Sequence, residues 1–428
     1  MTSTPVTAVV VGAGSRGFAY SKYALDNPDK FKIVGVAEPR KFQREKLASD
    51  HNLCKEKVFS TWEEVVNVPK FADCILVTTM DQMHKDPAVA FAKKGYHIYL
   101  EKPMATTYAD CACIVETCKR NNVMLAVGHV LRYDSHAQTI RDIIRSGEIG
   151  QVVNIQHLEP IGFWHFAHSF VRGNWGNSEK STFLLLAKCC HDLDLIQMWL
   201  GEKDECLSIS SFGSLVHFTK KNQPDGASDR CLDCKVESQC AYSAKKLYLG
   251  LLEKGHTGWP VSVVADVPDV ENVLESLRVG PYGRCVYACD NDVCDNEVVI
   301  MNYKSGATVS LTTVAFTEEV CSRHTTICGT KGEITCVFYQ PDIKVFNFLT
   351  KTKKMYNVCE KGVVKTGHSD SDMEAIRCFV EAIKNNDPSK ILTGPEQSLQ
   401  SHLLCFAAER ARVEQRVVQL KDENFITS

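Results

Sequence analysis

Three glycines near the start of the chain, Gly12, Gly14 and Gly17, are spaced as Gly-x-Gly-x-x-Gly directly after an apolar run at 7–11. This order is typical of a buried strand, a tight turn and a helix whose first N–H groups face an anion. Gly14 leaves room for phosphates to approach the backbone, and Gly17 lets the helix pack closely against the strand. The pattern therefore predicts a turn that binds the pyrophosphate of a dinucleotide.

A second strand-like run at 32–37 ends in Glu38, about 20 residues after Gly17, where a carboxylate accepts the hydroxyls of an adenine ribose. A carboxylate repels a 2′-phosphate, so Glu38 favours NAD over NADP, although Arg40 can partly offset the repulsion. An ordinary exposed strand end is the alternative interpretation of Glu38. We predict that the two motifs supply these cofactor contacts: Gly12, Gly14, Ser15, Arg16, Gly17, Glu38 and Arg40.

Two further motifs carry groups suited to acid–base chemistry. Lys102, in Glu101-Lys102-Pro103, follows the strand predicted near 97–101, at the edge of the sheet where ligands bind, and an ammonium there stabilises negative charge on a substrate oxygen. Pro103 restricts Lys102, and the bond between them is a candidate for the cis form. His191 lies in a helical run at 183–200, and an imidazole with a pKa near ~6.5 suits removal of a hydroxyl proton. A surface lysine and a helix-surface histidine are the common alternatives.

Side chains that suit a substrate surround these two groups. Helical spacing places Lys188 on the face of His191 and pairs it with Asp192 at i,i+4. The loop at 162–177 interleaves aromatic with polar residues, which suits the faces and hydroxyls of a sugar or cyclitol ring. A buried loop anchor is the alternative for that loop. The predicted substrate contacts are Lys188, Arg172, His168, Trp164, Trp175, Asp192 and Tyr133.

The elements that must position these residues fall into two regions. Alternating strand and helix signals over 1–131 predict βαβ units and an open parallel sheet, a doubly wound Rossmann domain. From 132 to 428 strand-like runs joined by turn signals, followed by two helices, predict an α+β domain with a large, mostly antiparallel open sheet. A polar, cysteine-containing stretch at about 219–268 interrupts that pattern and is interpreted as an insertion.

Charge and hydropathy exclude several classes of function. The 428 residues carry 49 basic and 52 acidic side chains, a formal net charge of −3, without a basic block, so neither nucleic acid nor a membrane surface is an expected partner. No apolar run approaches the ~20 residues that span a bilayer, and the first apolar stretch is interrupted by the glycine motif rather than preceded by basic residues. A soluble, cytoplasmic protein is expected.

The chain has twenty cysteines, most of them in apolar runs where reduced thiols act as small buried hydrophobes. Cys231, Cys234 and Cys240 stand apart in the insertion at a spacing that suits zinc if a fourth ligand joins them. Free thiols in a packed insertion are the preferred interpretation, and no metal is predicted.

The chain resembles the glucose–fructose oxidoreductase, inositol dehydrogenase and rhizopine-catabolism (Gfo/Idh/MocA) family over most of its length. The matching motifs are Gly12-Ala13-Gly14-Ser15-Arg16-Gly17, Glu101-Lys102-Pro103, Arg132-Tyr133, Gly147-Glu148-Ile149-Gly150, His191-Asp192-Leu193-Asp194 and Gly329-Thr330-Lys331-Gly332. The resemblance implies a Rossmann domain, a C-terminal domain whose open sheet makes a homodimer or homotetramer, and NAD- or NADP-linked chemistry on sugars and cyclitols.

By the same resemblance, Lys102 touches both substrate and nicotinamide, and His191 is the acid–base group. The remaining cofactor contacts implied are Thr78, Thr79, His84, Glu101 and His129. The chain departs from the family where Met80-Asp81 replaces Pro-Asn, and where Ala187 stands in place of an Asp four residues before His191.

The resulting hypothesis is an NAD-dependent dehydrogenase of a sugar, cyclitol or glycoside hydroxyl. One alternative is a glycosidase or lyase that keeps NAD bound and works by oxidation, elimination and reduction. A dinucleotide-sensing protein that has lost catalysis is the other alternative, favoured only by Ala187.

Overall fold

Six parallel strands form the first sheet in the computed structural model, which describes residues 4–201, 203–358 and 369–425. The strands are rich in Val, Ile and Leu because helices cover both faces of a parallel sheet. The elements in chain order are β1 (Val6–Val11), α1 (Ser15–Asp26), β2 (Phe31–Ala37), α2 (Lys41–Asp50), β3 (Val58–Phe59), α3 (Trp62–Asn67), β4 (Cys74–Val77), α4 (Lys85–Lys93), β5 (His97–Leu100), α5 (Tyr108–Arg120) and β6 (Leu125–Val127).

The strand order of this sheet is β3-β2-β1-β4-β5-β6, and its direction of growth reverses between β1 and β4. In doubly wound folds a reversal of this kind opens a crevice at the carboxyl ends of the strands, where ligands bind. The predicted Rossmann architecture is confirmed. The two-residue strand β3 was not predicted, because so short a pairing leaves no alternation to detect.

The second region begins with a helix and is built on nine strands. Its elements are α6 (Ser135–Arg145), β7 (Val152–Pro160), α7 (Phe163–Phe166), α8 (Cys190–Leu200), β8 (Cys206–Ser214), α9 (Gly250–Glu253), α10 (Val261–Val264), α11 (Val270–Val279), β9 (Asn296–Tyr303), β10 (Thr308–Val314), β11 (His324–Gly329), β12 (Gly332–Val337), β13 (Asp342–Asn347), β14 (Lys353–Asn357), α12 (Ser369–Asn385), α13 (Pro395–Glu414) and β15 (Val418–Gln419). Three π-helical stretches adjoin helices: Ala167–Arg172, Leu185–Cys189 and Lys245–Leu249.

The nine strands are ordered β14-β13-β12-β11-β7-β10-β9-β8-β15. Only β7 and β10 run parallel among these pairs, so the predicted mostly antiparallel sheet is confirmed. Helices α8 and α13 cover one face, where Leu193 and Leu404 share an apolar cluster with Ile209 and Val299. On the other face residues such as Ile300 are exposed, so this face is open.

The insertion is longer than the predicted 219–268, because strand β8 ends at Ser214 rather than near residue 218. The Asp295 carboxylate accepts the backbone N–H groups of Val216 and His217 at 3.0 and 2.7 Å and draws the chain out of the sheet. The inserted chain runs over 215–295 and has its own apolar cluster, which includes Tyr248.

Helix α12 returns from the second region to the first. Ile376 and Phe379 pack into the core around β1 and α1, and the Phe379 ring lies 5.5 Å from that of Tyr99. The two regions are therefore joined by packing as well as by chain connections. Across the described residues, every helix is too short or too polar to cross a bilayer.

Candidate active site

The turn between β1 and α1 has the shape of an anion cradle. A Cβ atom on Gly12 would lie 2.6 Å from the Thr78 carbonyl oxygen, and one on Gly17 would lie 2.2 Å from the Gly12 carbonyl oxygen. A Cβ on Gly14, in contrast, meets only the Arg40 guanidinium, at 3.7 Å. Helix α1 has no side-chain cap, so its first N–H groups are available to an anion. These residues fit a dinucleotide pyrophosphate.

Glu38 lies at the end of β2 beside this cradle and is almost fully buried. One oxygen accepts the Ala13 backbone N–H at 2.8 Å, and the other accepts from Arg40 Nε at 2.8 Å. Burial works to raise the pKa of Glu38, but the hydrogen bonds from Arg40 and Ala13 outweigh it and hold this pKa below its usual value. A charged carboxylate therefore stands where an adenine ribose is expected.

Lys102 follows β5 on the other side of the crevice, and its bond to Pro103 is cis. Its Nζ donates to the Ala187 carbonyl at 2.7 Å and lies 5.8 Å from the centre of the Trp175 ring. The preceding Glu101 is held by Arg16 Nε at 2.6 Å. The ammonium is thus brought from the first region to the helix that carries the second candidate group.

That helix changes its winding just before His191. The π-helical stretch Leu185–Cys189 runs directly into α8, and features of this kind are frequent at functional sites. Within it, the carbonyl of Ala187 accepts a hydrogen bond from Lys102. His191 is buried, and its ring centre lies 5.8 Å from that of His129. Lys102 therefore contacts the π-helical stretch that leads into α8, four positions before His191.

Lys188 belongs to a buried group of charges under this cleft. Its Nζ lies 3.3 Å from Glu159 Oε1 and 2.9 Å from Cys321 Sγ. Burial works to lower the pKa of Lys188, but the nearby Cys321 and Glu159 outweigh it and raise the pKa. The predicted i,i+4 pairing of Lys188 with Asp192 is wrong. Lys188 contacts Glu159 and Cys321 instead, and Asp192 contacts His157 and Arg323.

Asp192 is bound on the sheet side of α8. It accepts from Arg323 Nε at 2.8 Å and faces His157 Nε2 at 2.9 Å, while Arg323 also lies 3.1 Å from Glu159. Burial favours the neutral acid, yet the Arg323 charge outweighs it and holds the pKa of Asp192 well below its usual range. Buried ion pairs among Glu159, Arg323 and Asp192 therefore support the segment that carries Lys188 and His191.

The segment 162–177, predicted as a loop, is helical over residues 163–172, and its aromatic and polar side chains face two directions. Trp175 Nε1 donates to Asp81 Oδ2 at 2.9 Å, which ties the loop to the crevice near Lys102. Three predicted substrate contacts face the insertion instead. The His168 Nδ1 lies 2.8 Å from the Tyr248 hydroxyl, and Arg172 donates to the carbonyls of two residues at 2.7 Å, Arg284 and Tyr242. Trp164 packs on Trp259 of the insertion with ring centres 5.4 Å apart.

The remaining predicted residues lie around the crevice in supporting contacts. Thr78 Oγ1 donates to the Gly12 carbonyl at 2.6 Å, and the Thr79 hydroxyl donates to the Met83 carbonyl at 3.1 Å. The His84 ring lies between the carbonyl oxygens of Pro103 and Thr79, at 2.7 and 3.1 Å.

His129 and Tyr133 occupy the far side of the crevice. His129 Nδ1 lies 3.2 Å from Asp194 Oδ1, and although burial works to lower its pKa, that carboxylate raises it to about 9. The Tyr133 hydroxyl accepts the Leu392 backbone N–H at 3.0 Å, away from Lys102.

Two cavities, of about 410 and 490 Å³, border Arg172 on the insertion side. Neither is lined by Lys102 or His191, so they lie beside the cleft rather than in it. The first is lined by Cys231, Cys234 and Cys240 among others. Within the described part of the chain, no three His, Cys, Asp or Glu side chains are arranged to hold a metal ion.

Sequence reasoning missed Glu159, Arg323, Cys321 and Asp81 as parts of the site. Arg323 and Asp192 are separated by 131 positions, and no local spacing reports such a pair. Only Asp81 gave a signal, as part of the departure from the family motif beside the cofactor.

Several known proteins are similar to this chain in sequence or fold. The Bacillus subtilis protein YteT, named as an oxidoreductase, is 25% identical over 451 aligned positions that cover 97% of each chain. The 2,7-anhydro-N-acetylneuraminate hydratase of Escherichia coli is 29% identical over 49% of this chain and 53% of its own length. The structure of an inositol dehydrogenase homologue with NAD+ from Azotobacter vinelandii superposes with a TM-score of 0.69 at 12% identity, covering 98% of both chains. That last likeness shows the fold.

Two family models account for most of the chain. The model described as an oxidoreductase family with an NAD-binding Rossmann fold matches residues 6–129, and the model of its C-terminal alpha/beta domain matches residues 141–420. With the glycine cradle, Lys102 and His191 in the expected places along the chain, the protein belongs to the Gfo/Idh/MocA oxidoreductase family.

Proposed function

We propose that the protein is an NAD-dependent oxidoreductase that acts on a hydroxyl-bearing carbon of a sugar, cyclitol or glycoside. The observation that carries this proposal is the 2.7 Å hydrogen bond from Lys102 to the Ala187 carbonyl. It holds an ammonium from the edge of the parallel sheet against the helix of His191, beside a glycine cradle that fits a dinucleotide. Membership of an NAD-binding oxidoreductase family supports the same chemistry.

The chain's own groups divide the work of proton transfer. When bound, the nicotinamide group accepts or supplies a hydride. His191 takes the proton of the substrate hydroxyl, and Lys102 stabilises the negative charge that develops on the same oxygen. An ammonium has three N–H donors, so Lys102 can keep the Ala187 carbonyl as one partner and offer another donor to substrate.

Substrate contacts are proposed on the side of the cleft that bears Lys188 and Trp175. The Lys188 ammonium is paired with buried Glu159, and the Trp175 ring lies beside Lys102. An ammonium and an aromatic ring suit the hydroxyls and the face of a sugar ring. Trp164, His168 and Arg172 are assigned to the loop that shapes this side, since their side chains bind the insertion. Asp192 supports α8 through Arg323, and Tyr133 supports the crevice through its contact with Leu392.

The cofactor is proposed to be NAD rather than NADP because Glu38 is buried and charged beside the cradle. We further propose a homo-oligomer that pairs the open face of the nine-stranded sheet, where Phe212 and Ile300 are exposed. All cysteines that the structure describes are free, which supports a reducing compartment such as the cytoplasm.

Lys102→Ala is the direct test of the proposed function. Turnover with a panel of sugars and polyols, followed by NADH absorbance, should fall by roughly 100-fold or more, as expected for loss of a charge-stabilising donor. Dinucleotide affinity should change little. Lys93→Ala, an exposed lysine of α4, is the matched control and should leave turnover unchanged.

Equal turnover of wild type and Lys102→Ala would remove Lys102 from the mechanism. Product release without net NADH formation would instead favour the redox-neutral alternative, toward which the hydratase relative points. Dinucleotide binding without turnover on the whole panel would favour the sensor.

A further inference from the structure

The insertion of the second region contacts the cofactor domain through Asp266. Asp266 lies two residues beyond α10, and its Oδ1 accepts a hydrogen bond of 2.9 Å from Gln43 Nε2. Gln43 belongs to the first turn of α2, the helix that follows the ribose-binding end of β2. A carboxylate from the second region thus stands at the adenosine end of the cofactor crevice.

Arg40 is paired with Glu38, close enough to Asp266 for that carboxylate's charge to act on it. It is the residue just before α2, three positions from Gln43, and its Nε donates to Glu38 Oε1 at 2.8 Å. The hydrogen bond from Arg40 to Glu38 is the main cause that raises the pKa of Arg40, and the charges of Glu38 and Asp266 add to it. The guanidinium lies 3.7 Å from the Cβ position of Gly14, so it stands over the cradle itself.

We propose that Asp266 is a specificity-determining residue of the cofactor site, one that selects against a phosphate on the adenosine ribose. A 2′-phosphate needs a cation, and Arg40 is the nearest one to the cradle. Glu38 already pairs with Arg40, and Asp266, held at Gln43 three positions away, adds a second carboxylate that repels the phosphate. This inference rests on the proposed use of a nicotinamide dinucleotide.

Two neighbouring variants separate the charge of Asp266 from its contact. Asp266→Asn removes the charge but keeps an oxygen for the Gln43 amide, whereas Gln43→Ala removes the contact and keeps the charge. Dissociation constants for NAD+ and NADP+ are measured by titration calorimetry at low ionic strength. In Asp266→Asn the affinity for NADP+ relative to NAD+ should rise about tenfold, a typical effect of one nearby charge. In Gln43→Ala the ratio should stay within about twofold.

Salt and two further variants complete the test. The gain in Asp266→Asn should shrink as ionic strength rises, because exposed charges are screened. Asp266→Glu should restore the wild-type ratio, and Glu275→Gln, an exposed acid of the insertion that pairs with Arg278, should not change it.

An unchanged ratio in Asp266→Asn, with NAD+ still bound, overturns the role of Asp266 and leaves the proposed function standing. An equal rise in Gln43→Ala also overturns it, because the contact rather than the charge would then be responsible. If the wild type binds neither dinucleotide, the proposed function fails and the role of Asp266 fails with it.

Discussion

The two walls of the cleft are built on different physical principles. The wall from the first region is made by backbone: Gly12, Gly14 and Gly17 leave space, and N–H groups face the crevice. The wall from the second region is made by buried charge, where Arg323 joins Asp192 and Glu159 beneath Lys188. A site of the first kind fails when an atom is added, and a site of the second kind fails when a partner is removed.

The largest effect is expected from Arg323→Met, which removes the cation shared by Asp192 and Glu159. Both carboxylates are fully buried, so an uncompensated charge should cost about 3–5 kcal/mol of unfolding free energy. Urea denaturation measures this loss. Arg278→Met, which breaks an exposed pair with Glu275, is the control and should cost less than about 0.5 kcal/mol. A similar loss of unfolding free energy in the two variants would show that the ion pairs of Arg323 do not stabilise this wall.

Adding one carbon tests the backbone-built wall. Gly17→Ala places a methyl group 2.2 Å from the Gly12 carbonyl oxygen, and overpacking against backbone should cost about 2–3 kcal/mol and abolish dinucleotide binding. Gly14→Ala should fold as the wild type does but bind the dinucleotide more weakly, because its methyl group enters the open cradle. Thermal unfolding and a binding titration measure the two effects. Equal stability of the two variants would contradict the shape of this turn.

A third prediction concerns pH, which acts on charge and leaves shape alone. The pKa of His129 is about 9 in the folded protein and near 6.5 in the unfolded chain, so the folded state binds this proton more tightly. The resulting stability is complete below about pH 6.5 and is lost as the pH rises through 9, by at most about 1.4 kcal/mol per pH unit. His129→Gln should flatten the fall in melting temperature over that range. An identical pH profile for the variant would exclude His129 as its source.

The smallest effect is expected from Thr78→Val, which lies behind the glycine turn in the wall made by backbone. The variant loses the hydrogen bond to the Gly12 carbonyl, which should cost about 1 kcal/mol of stability. If Thr78 only supports the turn, the dinucleotide affinity stays within about twofold of wild type. A larger loss of affinity without a loss of stability would show that Thr78 contacts the cofactor directly.

The same contrast explains what the sequence could predict. The cradle lies within six consecutive residues, Gly12 to Gly17, and Lys102 directly follows a buried strand, so local spacing was sufficient for both. The helix predicted after the glycine turn is α1, Ser15–Asp26. Glu159 lies in β7, before α8 in the chain, and Arg323 directly precedes β11, after it, so their contact with helix residues depends on how β7 and β11 pair in the nine-stranded sheet.

The interpretation of Lys188 failed for the same reason. Helical spacing predicts Asp192 as the partner of Lys188. Both side chains are buried against the sheet, however, where Glu159 binds Lys188 and Arg323 binds Asp192. The reach of Asp266 to Gln43 was likewise hidden, because 223 positions separate the two residues.

Helix α12 carries a consequence for the order in which the protein is made. The first sheet packs Tyr99 against Phe379, and Arg16 beside the cradle binds Asp372 through two hydrogen bonds of 2.8 and 2.6 Å. Synthesis must therefore pass residue 380 before the dinucleotide half can close its own core. A fragment that stops at Leu131 would leave Tyr20 and Tyr99 exposed where α12 covers them. The first region therefore needs α12, from the last quarter of the chain, to complete its core.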